Sequence, residues 1–190
     1  MDSGAMNAIT AALAHRAMRV ARFEFDYMAQ RRSGGSRRPP PRAERLTGEY
    51  LNAVGELSAG PSLFIGGKSM GGRVASMVAD ELYRNDAIAG LVCLGYPFHP
   101  PSRPDSPRTE HLAKLATPTL ICQGTRDPFG TRAEVEEYLL SDTITIEWIE
   151  DGDHDFKPTR SSGRSTADNM AAIAERVARW TQFVAGRHHS

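Results

Sequence analysis

The segment SLFIGGKSMGGRVASMVADEL, Ser62 to Leu82, restricts the fold more than any other part of the chain. An apolar run, Leu63 to Ile65, gives way to glycines at 66, 67, 71 and 72 around one serine. A helical pattern with Val74, Val78 and Leu82 on one face follows without a linker. A strand that becomes a helix so abruptly belongs to a parallel sheet with helices packed on it. The rest of the chain repeats the alternation. MRVARFEF, IAGLVCLGYP, TPTLICQG and ITIEWIED read as further short strands. Met6, Ile9 and Leu13 mark a helix face near the start, and Met170, Ile173, Val177, Trp180 and Val184 mark one near the end. The expected fold class is α/β, a three-layer α/β/α sandwich with a mostly parallel sheet, in a single domain over residues 1–190.

Two segments stand outside this pattern. QRRSGGSRRPPPR, Gln30 to Arg42, reads as a loop, and prolines at 97, 100, 101, 104 and 107 exclude a regular helix across YPFHPPSRPDSPRTEHL. Both leave strands at the edge where open α/β sheets bind ligands, which makes them candidate walls of a cleft.

The fragment around Ser69 admits two chemistries. A phosphate-binding loop of the form G-x-x-x-x-G-K-[ST] needs a glycine where this chain has Ser62, and it would be built from the strand residues Leu63, Phe64 and Ile65. The alternative, G-x-S-x-G from Gly67 to Gly71, needs a strand before it and a helix after it, and both are present. It puts the Ser69 hydroxyl at the carboxyl end of the sheet, with a positive helix terminus behind it. A serine hydroxyl is a weak nucleophile until a base removes its proton and an acid orients that base. Asp127 follows the strand TPTLICQG and His154 follows the last strand, ITIEWIED, so both lie at the same edge as Ser69. Asp105 is a competing acid but lies well beyond its strand; His15, His99 and His111 precede the last strand, and His188 and His189 fall in the C-terminal tail. Asp153 and Asp155 are expected to cap or to pair with cations.

GGKSMGG, GTRDPFG and GDHDF together resemble the α/β-hydrolase superfamily. More narrowly, with the Arg-rich loop, the chain looks like a small family of bacterial hydrolases related to the testis-expressed α/β-hydrolase-like proteins and akin to dienelactone hydrolases. The resemblance implies Ser69 as nucleophile, Asp127 as orienting acid, His154 as base and the Met70 backbone N–H as one oxyanion donor. It implies no cofactor and no metal. It also implies a central strand, ending in a glycine-rich turn, between the RVARFEF and SLFIGG strands. The sequence begins at MDSGAMNAITAAL, already at the following helix, so either an N-terminal segment is absent from it or the sheet is completed another way.

The expected function is a serine hydrolase for an ester, thioester or lactone. The alternative is a catalytically inactive protein of the same fold that binds a partner. The expected substrate is a small acyl molecule. Arg31, Arg32, Arg37, Arg38, Arg42 and Lys68 raise two options, recognition of a substrate anion or a solvated or docking surface. Lys+Arg and Asp+Glu are both 23, which argues against nucleic acid or an anionic membrane as the main partner. With no apolar run long enough for a membrane span or a secretory signal, the expected location is the cytoplasm. Cys93 and Cys122 sit in apolar runs and read as buried thiols.

Overall fold

The computed structural model describes residues 4–32, 34, 40–57 and 62–187. Four apolar runs form strands: β1 Phe64–Lys68, β2 Gly90–Leu94, β3 Thr119–Gly124 and β4 Ile144–Ile149. They pair in parallel in the order β1-β2-β3-β4. β3 is buried along its whole length, as a central strand covered on both faces must be, whereas β4 alternates toward solvent at the edge.

Helices α1 Gly4–Ala14, α2 Asp26–Arg32, α3 Thr47–Gly55, α4 Met70–Arg84, α5 Arg132–Val135 and α6 Thr166–Arg187 complete the layers. Strand alternation sends neighbouring side chains to opposite faces, and two apolar cores result. On one face Val74, Val78 and Tyr50 pack with Ile65, Leu91 and Cys93; on the other Ile9, Met170, Ile173 and Val177 pack with Leu94, Leu120 and Cys122. This is the expected three-layer sandwich. Both cysteines are free and buried, one in each core, and burial raises both thiol pKa values, that of Cys122 to about 12. Among the described residues no helix is long and apolar enough to cross a membrane.

The segment Met18–Phe25 departs from expectation, for it belongs to no strand. A strand needs a backbone partner. Here a cavity of about 350 Å³ separates Ala21–Phe25 from Gly66, Gly67 and Lys68 of β1. The aromatic side chains that suggested β structure pack on each other instead: Phe23 meets Phe25 and Tyr50 edge to face, with ring centroids 5.1 and 5.2 Å apart. Among the described residues β1 is therefore an edge strand, and the sheet is short by the central strand that the resemblance implies. Tyr50 covers part of that edge, its hydroxyl donating to the Gly66 carbonyl at 2.7 Å and accepting from the Gly66 N–H at 2.9 Å. Of the Arg-rich segment, Gln30–Arg32 end α2 and are not loop.

Candidate active site

At the carboxyl end of β1 the chain must reverse within one residue to enter α4. Ser69 takes that strain at φ 52, ψ −118, a conformation rare outside glycine. Of the two glycines of the motif only Gly67 is crowded, and Gly72 just beyond the motif is crowded with it. A Cβ on Gly67 would meet Gly71 C at 2.5 Å, and one on Gly72 would meet Gly67 O at 2.7 Å and Cys93 Sγ at 3.3 Å. A Cβ on Gly71 would meet nothing within 4 Å. The first turn of α4 thus sits directly on β1 and β2, which fixes Ser69 at the sheet's rim.

Asp127 lies in the turn after β3 and is fully buried. Its Oδ1 accepts the Phe129 N–H at 2.9 Å, and its Oδ2 accepts from Gln123 Nε2 at 3.1 Å. His154, after β4, brings Nδ1 within 2.8 Å of the same Oδ2 and Nε2 within 2.9 Å of Ser69 Oγ. A carboxylate only accepts, so Nδ1 carries the proton and Nε2 is the nitrogen that accepts from the serine hydroxyl. The Phe129 ring lies against the imidazole, with centroids 4.3 Å apart. Gly95, at φ 61 after β2, leaves room beneath the pair: a Cβ there would stand 3.4 Å from His154 Nδ1 and 3.5 Å from Asp127 Oδ2. The three side chains singled out in sequence thus meet in one hydrogen-bonded line, with Met70 opening α4 beside them.

The loops carrying Asp127 and His154 are laced together through Arg126. Its side chain bonds Asp151 Oδ1 at 2.8 Å, Asp151 O at 3.1 Å and Lys157 O at 3.2 Å. The Thr159 hydroxyl and N–H, with Arg126 beyond them, hold the Asp151 carboxyl below its usual range. Asp153 accepts the backbone N–H groups of Asp155 and Lys157. Asp155 pairs with Lys68 Nζ at 2.8 Å, and that hydrogen bond keeps its pKa low. Lys68, considered above as a substrate anchor, therefore holds the turn beside Ser69 to the loop beside His154.

The other candidates are elsewhere. Asp105 is exposed in the proline-rich loop and His15 is exposed after α1. His111 bonds Ser76 Oγ at 2.8 Å, and burial, with Arg73 nearby, lowers its pKa. His99 is buried and bonds Pro100 O. His188, His189, Arg37 and Arg38 lie outside the described residues. Arg32 bonds Glu24 at 3.0 Å and Arg31 lies over the Tyr27 ring. Among the described residues, neither loop proposed as a cleft wall lines the cavity at Ser69. Its walls are Met6, Ala21–Phe25, Tyr27, Met28, Tyr50 and Gly66–Gly71, and the start of the proline-rich segment is buried in the core instead.

Sequence reasoning missed Gln123, Phe129, Gly95 and Arg126. Gln123 had a visible signal: it is the amide that directly follows the apolar Leu120–Cys122 in the run TPTLICQG.

A family model described as an alpha/beta hydrolase domain matches residues 1–182. Among solved structures, the esterase domain of a Rhodothermus marinus protein is similar at a TM-score of 0.61 and 17% identity, over 93% of this chain and 78% of that one. An alpha-beta serine hydrolase homologue from Coxiella burnetii is similar at 0.59 and 16%, over 94% and 76%. At those identities the likeness is one of fold.

Proposed function

The chain belongs to the alpha/beta hydrolase domain family, and from that premise we propose that it is a serine hydrolase cleaving an ester, thioester or lactone of a small acyl compound. The observation that carries this reading is the unbroken relay Ser69 Oγ, His154 Nε2, His154 Nδ1, Asp127 Oδ2, with contacts of 2.9 and 2.8 Å. His154 takes the Ser69 proton as the oxygen attacks the acyl carbon. Asp127 holds the imidazole in the tautomer that can do so and stabilises the imidazolium. The tetrahedral oxyanion turns toward the Met70 N–H at the positive end of α4. His154 then gives its proton to the leaving alcohol or thiol, and the acyl group stays on Ser69. Water, activated by the same histidine, releases the acid and restores the hydroxyl.

Within the family we place the chain with the small bacterial hydrolases akin to dienelactone hydrolases, on its three motifs and Arg-rich loop. The Lys68–Asp155 pair favours the reading in which Lys68 organises the site over one in which it recognises a substrate anion.

A fluorophosphonate probe tests the assignment without knowledge of the substrate. The expected adduct is on Ser69, absent in Ser69→Ala, and His154→Ala should slow its formation by roughly 10³-fold or more. A folded wild-type protein that takes no label would leave the partner-binding reading in its place.

A further inference from the structure

A primary amide at the end of a buried strand has to place two donors and one acceptor where water does not reach, so what surrounds it fixes its orientation. Gln123 is the penultimate residue of β3 and is fully buried. Three oxygens face its nitrogen: Asp127 Oδ2 at 3.1 Å, Tyr96 O at 3.2 Å and Gly130 O at 3.2 Å. Turning the amide over would set its own oxygen against all three, so Nε2 is the atom that points at them. Gln123 Oε1 has no hydrogen-bond partner among the described residues. An apolar side chain would fill this space without a buried unpartnered oxygen, so the amide's packing alone does not account for a glutamine here.

The geometry points to Gln123 as a positioning residue: its amide fixes Asp127 Oδ2 where that oxygen accepts His154 Nδ1–H, and ties it to the turn after β2 and the loop after β3. The Asp127 carboxylate is clamped at both ends, Oδ1 by the Phe129 N–H and Oδ2 by the Gln123 amide. Rotation about its terminal torsion, otherwise broad, would break one bond or the other. Tyr96 O and Gly130 O belong to separate segments, so the amide also joins those segments to the carboxylate. Gln123 does not touch Ser69 or a substrate and acts only through Asp127. The proposal rests on the relay assigned above.

Gln123→Met keeps the length of the side chain and removes its donors. The expected result with a fluorophosphonate is a maximal inactivation rate about tenfold to a hundredfold lower, with the half-saturating probe concentration unchanged within about twofold, because alignment is lost and binding is not. The low-field proton resonance of His154 Nδ1–H should move or broaden. A folded Gln123→Met that keeps both the wild-type rate and that resonance overturns the proposal, even if its melting temperature falls. Should the variant not fold, the wild-type protein decides the matter: the Gln123 side-chain amide protons should shift when Ser69 is phosphonylated and His154 becomes charged, and unmoved resonances overturn it. A folded wild type that takes no label defeats the relay itself and this proposal with it. Normal wild-type labelling with an unaffected variant defeats only the role of Gln123.

Discussion

The strained serine is held in place by two glycines that a motif alone does not distinguish from their neighbours. A Cβ on Gly67 or Gly72 would meet backbone atoms at 2.5 and 2.7 Å, closer than a methyl group fits, while Gly71 faces open space. Gly67→Ala and Gly72→Ala should each destabilise the protein by about 1–3 kcal/mol through overpacking, and Gly71→Ala by far less; urea unfolding of the three variants separates them. Gly95 gives a parallel test beside the relay. At φ 61, and with the His154 carbonyl oxygen 3.3 Å from where a Cβ would stand, an alanine there meets backbone strain and a tight contact with the backbone that carries His154. Labelling of Gly95→Ala should fall along with its stability.

At the level of elements, side chains pin helices and strand ends to one another, some of them far from the site and some across it. Asp80 on α4 reaches across to the turn before β3, accepting from the N–H groups of Ala116 and Thr117 and from the Thr117 hydroxyl at 2.6 Å. Burial pushes its carboxyl up, but these hydrogen bonds outweigh that and leave it below the usual range. Asp80→Ala should cost about 1.5–3 kcal/mol while leaving the labelling rate of folded protein near wild type, because the contact lies far along α4 from Ser69. The Lys68–Asp155 pair joins the end of β1 to the loop after β4 directly across the site. With Asp155 half exposed, solvent screens the pair, and a double-mutant cycle with Lys68→Met and Asp155→Asn should give a coupling of about 0.5–1 kcal/mol in stability. A coupling in labelling rate larger than that in stability would mark the pair as part of the site's alignment.

For the whole molecule, several carboxylates are more acidic in the folded state than in the unfolded chain, among them Asp80, Asp151 and Asp155. The unfolded chain therefore binds protons first as pH falls. The stability these groups supply is fully present above about pH 4, the ordinary range for Asp, and is lost as pH drops through their lower folded values. Urea midpoints measured between roughly pH 5 and 2.5 should fall steeply in the lower half of that window. Asp80→Asn should flatten the fall.

The layers, the four strands of the sheet and the order of the relay residues could all be read from the chain, because each rests on a local rule: side-chain period, strand length, and a glycine-lined turn between strand and helix. Ser69, Asp127 and His154 could be proposed because a parallel sheet gathers its strand ends at one edge. The fate of Met18–Phe25 was not legible, since its composition suits a strand and only a neighbouring backbone can make it one. Nor was the open space at Gly71, or the partners of Lys68 and Gln123, because those depend on which atoms the folded backbone brings within a few ångströms. Sequence by itself determined the architecture and which serine, aspartate and histidine stand at strand ends, through periodicities that act over a few residues. Tertiary structure alone decided which groups touch, because close contact between segments distant in the chain is a property of packing.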